Sequence, residues 1–109
     1  MTDHDTTINT LKEKVRELVL RKGWGKDGIQ NPQNVAMAMT VEMSEMLEHF
    51  QWLDRDQADG LLKGADPDRV ACIAEEFADV IIYGLQLCYS LNIDVTREIL
   101  RKIDIVDHR

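Results

Sequence analysis

The chain has 109 residues and a formal net charge of −7 at pH 7. This length predicts a single domain, residues 1–109, whose one core is too small to enclose a deep pocket unless a second subunit supplies a wall. The negative charge argues against a nucleic acid polymer or an anionic membrane as partner, because phosphate groups would be repelled.

The first residues, Met1 to Asn9, are polar and lack the basic start and apolar run of a signal peptide. We therefore expect a soluble cytoplasmic protein. Apolar residues at helical spacing then predict a first helix from about Thr7 to Lys22, which ends at Gly23. The following segment, 23–31, holds three glycines and Trp24, and it predicts a mobile loop.

Two Pro-containing signals open the long helices that follow. Asn31-Pro32 predicts the start of a second helix that reaches about Leu53. The same signal at Asp66-Pro67 opens a third helix that reaches about Leu91, and Asp94 caps a fourth. A polar connection between the second and third helices has room for a short helical turn. No strand pattern occurs, so the sequence predicts an all-α, four-helix bundle-like protomer with a short connecting helix.

Two acidic doublets border the apolar stripes of the second and third helices. On a helical wheel the second stripe is Met39, Met43, Met46 and Phe50, and the third includes Phe77 and Val80. The doublets Glu42-x-x-Glu45 and Glu76-x-x-Asp79 form matching shoulders beside them, whereas Glu75 points away to solvent. Like charges one turn apart destabilise a helix, so we expect a cation between the four carboxylates.

The ligand type indicates which cation. Oxygen-only ligands suit Mg²⁺ or Mn²⁺, and Mg²⁺ commonly bridges carboxylates to the phosphates of a substrate. A di-iron bundle would require Glu-x-x-His, which the sequence lacks. His49 follows Glu45 by one turn and is either a further ligand or a hydrogen-bonded scaffold residue.

These residues carry a resemblance to a known family. The run from Asn34 to Trp52, NVAMAMTVEMSEMLEHFQW, and the later EEFADVIIY, residues 75–83, resemble the all-α MazG-like nucleoside triphosphate pyrophosphohydrolases. The small dCTP-pyrophosphatase branch is the most similar. The resemblance extends over about Trp24 to Ile105.

The resemblance implies Mg²⁺-dependent cleavage of a nucleoside triphosphate between the α- and β-phosphates, which releases a monophosphate and pyrophosphate. It implies that Glu42, Glu45, Glu76 and Asp79 are the catalytic, metal-binding carboxylates and that a metal-activated water is the nucleophile. It also implies a homodimer or homotetramer that clears unwanted nucleotides from the cell. The first substrate to expect is dCTP or a related deoxynucleotide.

The same resemblance implies that five residues bind the substrate. Trp24 and Trp52 match base-stacking positions, Tyr83 and Asn34 are placed to contact base or sugar, and Lys102 to reach phosphate. Two departures from the family pattern concern these contacts. The loop after Trp24 is longer than usual, and an Asn that often follows the Lys102 region is absent.

Two other functions fit the same pattern. A non-catalytic helical oligomer that binds a partner would also display acidic helix shoulders. A phosphoribosyl-ATP pyrophosphohydrolase would share the all-α plan, but the Phe50-Gln51-Trp52 ending and Trp24 favour a free nucleotide.

Overall fold

The computed structural model describes all residues, 1–109, and is entirely helical, which confirms the predicted all-α class. Each helix begins after a side chain that accepts hydrogen bonds from the first free backbone amides, which confirms the caps predicted at Asn31, Asp66 and Asp94. Asp54 forms a full capping box with Gln57 at the start of the short connecting helix. The helices are α1 (Ile8–Lys22), α2 (Pro32–Glu48), α3 (Arg55–Leu62), α4 (Pro67–Ser90) and α5 (Val95–Asp107).

The antiparallel pair α2 and α4 forms the centre of the molecule. Near one end, Met39 lies against Gly84, where an added Cβ would be 3.2 Å from the Met39 Cε. Near the other end, the Arg69 guanidinium donates a hydrogen bond to the His49 carbonyl at 3.1 Å. The absence of a side chain at Gly84 therefore allows close packing of the two helices that carry the acidic doublets.

Helix α1 packs against the other side of α4. Val15, Val19 and Leu85 form a small buried cluster, and Ile82 and Tyr89 pack against it. Burying such apolar side chains stabilises the fold by about 1.5–3 kcal/mol each. This contact fixes α1, and the loop that follows it, relative to α4.

Helix α2 is shorter than predicted. It ends at Glu48 instead of Leu53, and the chain makes tight turns through residues 49–52 before α3. A tertiary contact stabilises this end of α2, because the Arg69 guanidinium gives the His49 carbonyl a partner without a further helical turn. Trp52 consequently lies outside the helix and is 85% exposed.

Much apolar surface remains uncovered in one chain. Three residues assigned to the core stripes, Met43, Phe50 and Phe77, are exposed. Every residue of α5 after Val95 is also exposed. The radius of gyration is 16.4 Å, whereas a compact domain of this length has about 13 Å. None of the five helices combines the length and apolar content that a membrane-spanning segment requires.

Candidate metal centre

The packing of α2 against α4 brings acidic side chains from both helices together. Carboxylate oxygens of Glu42, Glu45 and Glu76 lie within 4.8 Å of one another. Asp79 lies one turn after Glu76 on α4, and its charge raises the pKa of both Glu42 and Glu76. We call these four residues the carboxylate cluster. The geometry thus brings together three of the four predicted carboxylates, Glu42, Glu45 and Glu76, and Asp79 is not among the oxygens within that distance.

Two oxygens of the cluster are buried and have no hydrogen-bond partner. They are Glu42 Oε2 and Glu76 Oε2, while Glu45 is exposed at the edge of the cluster. None of the ion pairs in the structure neutralises any of the four carboxylates. Buried carboxylates without partners are costly, so the arrangement favours an added positive charge.

The pKa values agree with this interpretation. Burial is the largest cause that raises the pKa of Glu42, followed by interactions with the Glu45 carboxyl and the charges of Asp79 and Glu76. Burial also raises the pKa of Glu76 most, with further contributions from Glu45 and Asp79, while His49 acts in the opposite direction. Both glutamates therefore hold protons more tightly than in an unfolded chain.

A divalent cation fits these residues. The donors are all carboxylate oxygens from two rigid helices, a set that suits Mg²⁺ or Mn²⁺ and disfavours metals that prefer nitrogen or sulfur. The unpartnered oxygens of Glu42 and Glu76 supply acceptors on both helices, and the exposed edge at Glu45 leaves access for a phosphate group. As predicted, Glu75 is exposed and lies outside this group.

The five residues predicted to bind substrate are distributed around the molecule. Tyr83 is half-buried on α4, one turn after Asp79, and Asn34 is exposed in the first turn of α2. Lys102 is exposed on α5, beyond the first turn that packs against the rest of the chain. Trp52 lies in the turn after α2, and not within this helix as its predicted end at about Leu53 implied.

Trp24 lies in the loop of residues 23–31, which is attached to the helices at several points. The Trp24 amide donates to the Val19 carbonyl at 3.1 Å, and the Tyr89 hydroxyl donates to the Gly28 carbonyl at 2.6 Å. The segment is a loop, as predicted, but these contacts argue against the mobility that its glycines suggested. Gly28 serves close packing instead, since it is buried against α1.

Arg69 was not identified from the sequence. It pairs with Asp66 at 3.0 Å and donates to the His49 carbonyl, so it connects the start of α4 to the end of α2. The spacing of Asp66 and Arg69, one helical turn, was a local signal for the ion pair. The contact with His49, 20 residues away in the sequence, had no comparable signal.

Comparison with known proteins relates this geometry to a family. The chain is 26% identical to the dCTP pyrophosphatase 1 of Rattus norvegicus over 100 residues and 27% identical to that of Homo sapiens over 101 residues. These alignments cover 92% and 93% of the chain but only 56% and 57% of the relatives. The chain thus spans little more than half the length of these relatives.

A solved structure has the same fold. It is a pyrophosphatase from Archaeoglobus fulgidus DSM 4304, with a TM-score of 0.78 and 29% sequence identity. The match covers 99% of this chain and 95% of that one. The model of the MazG-like family matches residues 37–107, which include the entire carboxylate cluster. The chain is therefore a member of the MazG-like family.

Proposed function

We propose that the protein is a Mg²⁺-dependent nucleoside triphosphate pyrophosphohydrolase, which cleaves between the α- and β-phosphates and releases a monophosphate and pyrophosphate. The observation that carries this proposal is the carboxylate cluster, in which oxygens of Glu42, Glu45 and Glu76 lie within 4.8 Å of one another and in which Glu42 Oε2 and Glu76 Oε2 are buried without a hydrogen-bond partner. Membership of the MazG-like family supports the same reaction.

In this proposal Glu42, Glu45, Glu76 and Asp79 hold the cation, with Mn²⁺ as an alternative to Mg²⁺. A bound divalent cation would lower the pKa of a coordinated water and neutralise negative charge on the phosphates. The protein fixes the carboxylates on two packed helices, so little reorganisation accompanies substrate binding. Glu45, at the exposed edge, faces the side from which a triphosphate can approach.

The proposed substrate is dCTP or a related deoxynucleotide, because relatives from four mammals carry the name dCTP pyrophosphatase 1. Trp24 and Trp52 would stack on the base, and Tyr83 and Asn34 would contact base or sugar. Lys102 would bind phosphate. The role that follows is removal of unwanted nucleotides from the cellular pool.

We further propose that the working form is a homodimer or homotetramer. Support comes from the exposed apolar residues of α2 and α4, among them Met43, Phe50 and Phe77, and from the exposed length of α5. Lys102 would then serve the cluster of a neighbouring subunit. Assembly would also enclose a site that one chain leaves open.

The test is release of pyrophosphate from a panel of nucleoside and deoxynucleoside triphosphates, each with Mg²⁺ and with Mn²⁺. Glu76→Gln should abolish release, because it removes one charge and one oxygen ligand from the cluster. Glu75→Gln is the matched control, since it changes the adjacent, exposed glutamate outside the cluster and should stay active. Absence of pyrophosphate release from every nucleotide would refute the enzymatic proposal and favour the partner-binding alternative.

A further inference from the structure

The loop between α1 and α2, residues 23–31, is held by two side chains from different helices. The Tyr89 hydroxyl of α4 donates to the Gly28 carbonyl at 2.6 Å. The Arg16 guanidinium of α1 donates to the Asp27 carbonyl at 3.2 Å. The same guanidinium lies over the Tyr89 ring, 5.8 Å from its centroid, so the two attachments support each other.

The loop is packed closely where these side chains reach it. Gly28 is buried, and an added Cβ would lie 3.1 Å from both Arg16 Cγ and Leu20 Cγ. Within the loop, the backbone groups of Lys26 and Ile29 exchange two hydrogen bonds, at 2.9 and 3.0 Å. The loop therefore has a defined conformation and little freedom to move away from α1 and α4.

Hydrogen bonds fix the backbone before and after Trp24 in the sequence. Gly23 and Trp24 amides donate to the Leu20 and Val19 carbonyls at the end of α1, each at 3.1 Å. The turn from Lys26 to Ile29, which two backbone hydrogen bonds close, follows shortly after in the sequence. The Trp24 side chain nevertheless remains 45% exposed. A fixed backbone with an available indole is suited to stack on a flat ligand, because little entropy is lost on binding.

The loop continues directly into the helix that carries the first doublet. Asn31 caps α2, and Glu42 follows 11 residues later, about 16 Å along the helix. We propose that Tyr89, together with Arg16, is a positioning residue that holds Trp24 for the nucleobase of the substrate. This inference rests on the proposed function.

The hydroxyl of Tyr89 can be removed with little other change. Tyr89→Phe keeps the ring, its packing against the Val15, Val19 and Leu85 cluster and its contact with Arg16, but it frees the Gly28 carbonyl. We expect the KM for the preferred nucleotide to rise by about threefold to tenfold, as loss of one hydrogen bond implies. We expect kcat to remain unchanged, because the carboxylate cluster is not part of the loop.

A second measurement observes the loop without substrate. In a Trp52→Phe background Trp24 is the sole tryptophan, and its fluorescence reports the loop alone. Tyr89→Phe should increase quenching of this fluorescence by acrylamide. Arg16→Lys, which keeps a cation but loses the fork geometry of the guanidinium, should increase it in the same direction.

The control is Thr7→Ala, which removes the cap of α1 at the end far from the loop and lowers stability by a comparable amount. It should leave KM and quenching unchanged. An active Tyr89→Phe variant with the wild-type KM would overturn this inference alone, as would an equal rise of KM in Thr7→Ala. A wild-type protein that releases no pyrophosphate would instead refute the proposed function, and with it a nucleotide role for the loop.

Discussion

Two glycines flank Trp24, and they should respond very differently to the same substitution. Gly23 and Gly25 both have left-handed backbone angles, with φ of 68° and 69°. An added Cβ at Gly23 meets no atom within 4 Å. At Gly25 it would lie 2.2 Å from the Ile29 carbonyl oxygen and 2.9 Å from the Gln30 backbone nitrogen. The backbone itself must therefore move to accommodate alanine at Gly25.

The expected magnitudes follow from these contacts. Both alanine variants incur the left-handed penalty of about 1–2 kcal/mol. Gly25→Ala also displaces Ile29, which breaks two backbone hydrogen bonds with Lys26, each worth about 0.5–1.5 kcal/mol. We therefore expect Gly23→Ala to lower the free energy of unfolding by about 1–2 kcal/mol and Gly25→Ala by about 2–5 kcal/mol.

The measurement is urea denaturation of wild type and both variants at one protein concentration, since assembly makes stability depend on concentration. The midpoint should fall further for Gly25→Ala than for Gly23→Ala, with the same slope in both. Equal destabilisation of the two variants would show that the loop yields freely around Gly25. That result would refute the argument that the loop has a fixed conformation.

Three further predictions concern the cluster and the core. Without divalent cation, stability should fall as pH rises above the ordinary glutamate pKa of 4.5. Folding raises the pKa of Glu42 and Glu76, so the folded state binds more protons than the unfolded state over this range and is destabilised when those protons leave. Urea midpoints in EDTA that rise with pH over this range would contradict this prediction. Glu45→Gln should raise the melting temperature of the metal-free protein at pH 7, and addition of Mg²⁺ should no longer increase the melting temperature of this variant. A lower melting temperature of the metal-free variant in calorimetry would be evidence against charge repulsion in the carboxylate cluster. Gln86 is 2% exposed, and its Oε1 has no hydrogen-bond partner. Gln86→Met should therefore stabilise the fold by about 1 kcal/mol in urea denaturation. A loss of stability would mean that the amide has a partner such as a buried water.

The starts of the helices were predictable because their signals are local. Asn31-Pro32 and Asp66-Pro67 each combine a capping side chain with a residue that suits the first helical turn. The spacing of Glu42 and Glu45 on α2, and of Glu76 and Asp79 on α4, likewise follows from helical periodicity.

The contact surfaces between helices were predicted less well. Met43, Phe50 and Phe77 share the periodicity of the core but are exposed in the single chain. Periodicity identifies an apolar face, yet it does not say whether the same chain or another covers that face. The carboxylate cluster was predictable as two doublets, whereas the 4.8 Å approach of Glu42, Glu45 and Glu76 depends on how α2 packs on α4.

The amino-acid order alone defines the helices, their caps and the two acidic faces, because each depends on residues within a turn or two of one another. The end of α2 and the conformation of the Trp24 loop depend on contacts between distant residues. Arg69 reaches the His49 carbonyl across 20 residues, and Tyr89 reaches the Gly28 carbonyl across 61. Such hydrogen bonds form only after the helices have packed, so the packing stabilises the end of α2 and determines how the Trp24 loop is held.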